Sequence, residues 1–307
     1  MPSQAPPHNK KVCGIASAIN ITSTPQVYND SLGKLISAAT ARLAAALSWS
    51  DFVHTERGRS NITPRIAQTT NHPAGPLLDY LAQHGAPVRL TTQDWSPTRL
   101  QEALERGSHQ SAQGHLEFLR DEFADMVSQR FWTVLPYSVV KHLPHLRLAP
   151  LGVVPQRDRR PRTISDYTFN DTNAETVPLA PIDAMQFGRA LERTLHKIYH
   201  ANPRFGPVFM GKVDIADGFY RLWLEALSLP ALGVVFPHLP GEEPLVAFPL
   251  ALPMGWVESP PYFCAFTETA ADIANWTLRS GSRSQRPHCR TDPTSWPFHG
   301  QSDTSRK

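Results

Sequence analysis

"LPMGWVESPPYF" (residues 252–263) is the most specific stretch of the chain. A Leu-Pro pair is followed two residues on by a glycine, Gly255. Ser259 then stands where a helix N-cap is wanted, with Pro260 at the first helical position, and the apolar residues that follow predict a helix over 259–276. Read alone, this is a proline-punctuated loop ahead of a capped helix.

Two upstream segments give the loop a context. "KVDIADGFYRLWL" (212–224) reads as a short apolar strand ending at Asp214, a turn at Asp217-Gly218, and an amphipathic strand leaving it. Val213 and Ile215 would anchor the backbone while Asp214 projects. A strand-terminal acid followed by an ordinary Asp-Gly turn has the same pattern. "RLAPLGVVPQRDRRPRTISDYTFN" (147–170) reads as two extended runs around a basic turn at 157–162. Taken alone, it is a solvated basic turn.

In this order the three segments resemble the fingers and palm of reverse transcriptases from LTR retrotransposons and retroviruses. The resemblance covers roughly residues 113–276 and is most like retrotransposon polyproteins over 147–260. It runs through Arg162, Asp166 and Tyr167, through Asp214 and Phe219, and through Leu252, Pro253, Gly255, Ser259, Pro260 and Phe263. It implies an α+β right-hand polymerase fold, with fingers and a partial palm behind a helical N-terminal region. The implied reaction is template-directed addition of deoxynucleotides to a primer end, with Mg²⁺ as cofactor and an RNA or DNA template-primer and deoxynucleoside triphosphates as partners.

The resemblance also implies roles. Asp214 would be the catalytic metal ligand, because hard Mg²⁺ takes carboxylate oxygens held on rigid backbone. Arg162, with Arg157 as second candidate, would grip the triphosphate through a planar, permanently charged fork. Phe219 would wall off a ribose 2′-OH, and Asp217 would shape the turn or the sugar pocket. Pro253, Gly255, Ser259 and Pro260 would face the template and the incoming nucleotide.

One part of the family's machinery has no counterpart. The Tyr-x-Asp-Asp hairpin that supplies the remaining metal carboxylates should follow the 259–276 helix, yet the 307 residues contain no Asp-Asp pair, and after Trp276 the acids are Asp292 and Asp303. One carboxylate cannot hold two Mg²⁺ ions about 3.5–4 Å apart against their hydration. The expectation is a truncated polymerase, part of a retroelement polyprotein, inactive alone and with an incomplete palm sheet. The strand bearing Asp214 would then expose unpaired backbone and an apolar face. Other readings stay open: a residual nucleic-acid-binding product, an unrelated metal-dependent enzyme built on Asp214 and Asp217, or a gene-prediction remnant without function.

Composition frames these readings. The chain is 41% hydrophobic and 19% charged, a globular balance, and its 29 prolines promise many loops. The net charge of +3 is uneven: residues 277–307 hold six Lys/Arg and two Asp/Glu, leaving 24 basic and 25 acidic groups elsewhere. The basic excess therefore belongs to the tail. Three scattered cysteines, no secretion signal and no apolar run long enough to span a bilayer point to an intracellular protein that is not secreted.

Residues 1–30 and 277–307 read as disordered. In 31–112, helices are expected at 31–48 and 96–107, the latter with Ser96 as cap and Gly107 as stop, and a loop at 51–75. Further helices are expected at 113–130 and 181–199, and strands at 207–215, 219–225, 231–236 and 244–250.

Three patterns are set aside. "GPVFMGKV" (206–213) has P-loop spacing, but Val213 lacks a hydroxyl and Pro207 lacks an N–H where the cradle needs them. "SLGK" (31–34) matches Ser-x-x-Lys without supporting motifs. His196 and His200 sit four apart on an expected helix; with no third ligand evident, they read as satisfied or solvated histidines.

Overall fold

A computed structural model of the chain describes residues 30–57, 72–179, 189–210, 214–238 and 241–279. It is an α+β structure. The helices of two turns or more are α1 (Ser31–Ala45), α2 (Trp49–Arg57), α3 (Gly75–His84), α4 (Pro97–Arg106), α5 (Leu116–Ser128), α6 (Arg189–Tyr199) and α7 (Ser259–Arg279). The strands are β1 (Trp132–Pro136), β2 (Leu148–Gln156), β3 (Arg159–Ser165), β4 (Gly233–Phe236) and β5 (Leu245–Pro249). They form one sheet in the order β1-β5-β4-β2-β3. The β2–β4 pair is parallel and the others are antiparallel.

Local signals explain most helices. Asp30 caps α1 by accepting from the Gly33 N–H at 2.7 Å, and Leu32, Ile36, Ala39 and Leu43 form its buried stripe against α5 and β1. Burying each of the larger side chains contributes about 1.5–3 kcal/mol. Ser96 caps α4 and Gly107, at φ +71°, ends it, as its sequence predicts.

Most of α2 occupies the first part of the span expected to be a loop at 51–75. Phe52 and Val53 are buried, and the Trp49 indole donates to the Ala226 carbonyl at 2.9 Å. Two buried apolar residues in a polar stretch are too few to register as a period, and the helix is held by this packing.

Strand expectations divide. The 147–170 segment forms the β2–β3 hairpin, with Val154 opposite Arg162 and a shift in register between Val154 and Gln156. The 244–250 run is β5. The 231–236 run gives β4 only from Gly233, because Ala226–Leu232 forms a 3-10 helix. Among the described residues no strand forms at 207–215 or 219–225. Residues 207–210 and 214–215 have no strand pairing among the described residues, and 211–213 lie outside them. Phe209 and Met210 are 87% and 72% exposed, so this stretch has neither a hydrogen-bonded neighbour nor a core to lie on. Phe219–Arg221 is a 3-10 turn, followed by single bridges from Trp223 to Ala251 and from Leu224 to Ala86.

One strand has no sequence expectation behind it. β1 lies within "FWTVLP" (131–136), too short to show a period, and is buried along its whole length between α1 and β5. The buried core runs without a break from Leu32 in α1 to Ala265 in α7. α7 extends past Trp276 to Arg279. The segments 1–29 and 280–307, expected to be disordered, lie outside the described residues. No helix among the described residues is long and apolar enough to cross a membrane.

Candidate nucleotide site

A cleft of about 400 Å³ opens between α5, the β2–β3 hairpin and the turn at 216–220. β3 alternates outward and inward, which puts the Arg162 side chain on its exposed face. Arg162 Nη2 reaches Met254 Sδ at 3.2 Å, so the guanidinium rests on a weak acceptor from the 252–258 loop. Its neighbour Arg160 is paired with Glu122 of α5 at 2.5 Å. Burial pushes the Glu122 carboxyl above the usual range and Arg160 offsets part of that.

The opposite wall comes from the turn. Asp217 has φ +54°, a left-handed conformation that aspartate tolerates, and Arg221 Nε steadies the turn by donating to the Ala216 carbonyl at 3.2 Å. The Tyr220 ring stacks on Phe131 with centroids 4.6 Å apart and faces the cleft. Burial raises its phenol above the ordinary value. Trp132 Nε1 lies toward the Tyr220 hydroxyl but closes no hydrogen bond of good geometry, and the buried Thr163 Oγ1 also lacks a partner. Two buried polar atoms in one cleft ask for water or a ligand.

The structure brings Arg162 and Asp217 to this cleft and leaves the other sequence candidates outside its lining. Arg157 is exposed at the hairpin turn. Asp214 is exposed, and Ile215, expected as an anchor of a buried strand, is 50% exposed, which corrects the reading of 214–215; Val213, the other expected anchor, lies outside the described residues. Phe219 is half-buried and meets the Phe263 ring of α7 edge-on, with centroids 5.3 Å apart. Gly218 is pressed against the same ring, since a β-carbon there would lie 2.7 Å from Phe263 Cζ.

The 252–258 loop is packed on its own protein. Pro253 and Ser259 are buried, and Ser259 does not cap α7 with its side chain; the hydroxyl donates to the Pro253 carbonyl at 2.6 Å. Pro260 is half-buried. Gly255 is exposed at φ +101°, and its carbonyl accepts from Asn173 Nδ2 at 2.9 Å while Asn173 Oδ1 takes the Val257 N–H. Met254 and Gly255 are the loop's outward members beside Arg162.

Magnesium does not fit the donors present. Among the described residues no three His, Cys, Asp or Glu side chains gather where they could hold a metal ion. The chain has no Asp-Asp pair. Glu122 and Asp125 also line the cleft, but Glu122 is taken by Arg160. No chemical step is therefore drawn through a metal.

Residue reasoning missed the α5 wall, Trp132 and Tyr220. The apolar side of 113–130 was legible, but nothing local says that its polar side faces a hairpin some forty residues on. Neither protein-family models nor curated proteins match the chain.

Proposed function

We propose that this chain is the fingers and part of the palm of a retroelement reverse transcriptase, and that alone it holds nucleotide or nucleic acid without polymerising. The observation that carries this reading is the meeting of Arg162, on the basic hairpin, with the Asp217 turn across one cleft, beside the 252–258 loop. One residue from each of the three segments, Arg162, Asp217 and Met254, lines this cleft, which supports the reading.

Arg162 supplies a permanent charge whose polar partner among the described residues is a thioether, so a phosphate oxygen would replace a poor acceptor with a strong one. Arg157 and Arg159 extend the positive charge along the hairpin, while Arg160 is paired with Glu122. Phe219 packs edge-on against Phe263 of α7, outside the cleft lining, so its role as a wall beside a sugar rests on the resemblance alone. The four loop positions act unequally: Gly255 is available to a template, while Pro253 and Ser259 shape the loop from within.

Binding of a labelled primer-template across a salt series tests this. Arg162→Ala and Arg157→Ala should each weaken binding and flatten the salt slope by about one unit. A slope unchanged in both variants would sink the nucleic-acid reading. Primer extension with Mg²⁺ or Mn²⁺ should give no product. Template-dependent synthesis that disappears in Asp214→Ala would overturn the claim of inactivity.

A residual binding product of a degenerate element is the second reading, favoured by the exposed position of Asp214. It predicts the same salt-dependent binding but no preference for deoxynucleoside over ribonucleoside triphosphates.

A further inference from the structure

We propose that His196 and His200 form a bidentate clamp for a borderline transition-metal ion such as Zn²⁺ or Cu²⁺ at the C-terminal end of α6, a site separate from the cleft. The two residues stand one turn apart, and the His200 N–H still bonds back to the His196 carbonyl at 3.1 Å after the last helical residue. Both side chains are exposed, so they are not core histidines. Their ring centroids lie 4.3 Å apart with planes inclined at 48°.

That spacing is close to what a shared ion requires. Two imidazole nitrogens each about 2.0–2.1 Å from one ion, at square or tetrahedral angles, put ring centroids about 4.5–5.2 Å apart. The centroid spacing is within about an ångström of the chelating value, and both side chains are exposed. Tyr199 meets His200 edge-on at 5.0 Å, which limits the freedom of that ring. Neither histidine has an ion pair among the described residues, so no carboxylate competes for the imidazoles.

The chemistry selects the ion class. Imidazole suits Zn²⁺, Cu²⁺ and Ni²⁺ and is a poor ligand for Mg²⁺, so this site does not restore the missing polymerase metals. Two protein ligands leave the remaining positions to water. The clamp also bridges successive turns, so a bound ion should hold the end of α6 in helical form.

The test is a titration of the full chain with ZnCl₂, followed by calorimetry, and with CuSO₄, followed by electron paramagnetic resonance. Four proteins are compared: wild type, His196→Asn, His200→Asn, and His142→Asn, an exposed histidine elsewhere. One saturable site should appear in wild type and His142→Asn, with two nitrogen ligands on Cu²⁺. Each of the other variants should weaken it about 10-fold or more, because the second imidazole no longer binds intramolecularly. Hydrogen exchange across 193–200 should slow with Zn²⁺ in wild type and His142→Asn, and in neither of the other two variants. Four identical isotherms, or Zn²⁺-independent exchange, would overturn the clamp.

Discussion

Gly255 and Ser165 approach so closely that a β-carbon on Gly255 would stand 2.3 Å from the Ser165 carbonyl oxygen. This contact joins the 252–258 loop to the end of β3, the strand that carries Arg162. Gly255 also has φ +101°, which side chains rarely adopt. The resemblance put Gly255 against template bases; the group it approaches closely is the protein's own backbone at Ser165.

Gly255→Ala should therefore destabilise the protein through two effects, strain and clash. The backbone strain alone costs about 1–3 kcal/mol. Denaturant melts should show at least that loss, with faster proteolysis in the 252–258 loop. An unchanged midpoint would mean that the contact is not made in solution.

Arg162→Ala should separate binding from stability. The side chain is exposed and bonds to Met254 Sδ, so the melting temperature should hold while triphosphate or nucleic-acid binding falls. Surface changes of this kind usually stay within about ±0.5 kcal/mol. A large drop in stability would recast Arg162 as structural.

Arg147 makes the opposite case. It is 2% exposed, bonded to the Glu175 carboxylate and the Thr92 hydroxyl, with its guanidinium 5.6 Å from the Trp95 ring centroid. Glu175→Ala would leave a buried charge without its counterion, at a cost of about 3–5 kcal/mol. Burial pushes the Glu175 carboxyl up, but the bonds from Arg147 and Thr92 and the Arg147 charge pull it further down, below the ordinary value. Its stabilisation is thus present above the usual carboxylate range and lost as pH falls through the depressed value. In Glu175→Ala that part of the acid sensitivity should vanish; equal acid sensitivity in both proteins would refute the pairing.

Glu258 should respond to pH with the other sign. It is 5% exposed and accepts from the Leu179 N–H at 2.6 Å; burial raises its carboxyl, and that hydrogen bond offsets part of the rise. The folded state then binds the proton more tightly than the unfolded state, so stability falls as pH climbs from the ordinary glutamate value to the raised one. Glu258→Gln keeps the acceptor and removes the charge. It should match wild type at pH below the carboxylate range and melt at a higher temperature than wild type at neutral pH. The reverse order at neutral pH would show that the ionised form is the one stabilised.

The division between sequence and structure runs along contact distance. α1, α4 and α5, the caps at Ser96 and Gly107, and the β2–β3 hairpin were legible because their signals lie within a turn or two of the residues they order. The turn at Asp217-Gly218 was legible for the same reason, though not the left-handed backbone of Asp217. Partners distant in sequence were not. A strand exists only when another strand takes its hydrogen bonds, and no local pattern says that 132–136 will find β5 while 207–210 finds no strand among the described residues. Whether Ser259 caps a helix or ties back to Pro253 depends on how the loop folds. The sequence by itself determined which residues could bind an anion, make a tight turn or approach backbone. The tertiary structure decided that Arg162 and Asp217 share a cleft, that Asp214 stands outside its lining, and that two histidines one turn apart face solvent with their rings side by side.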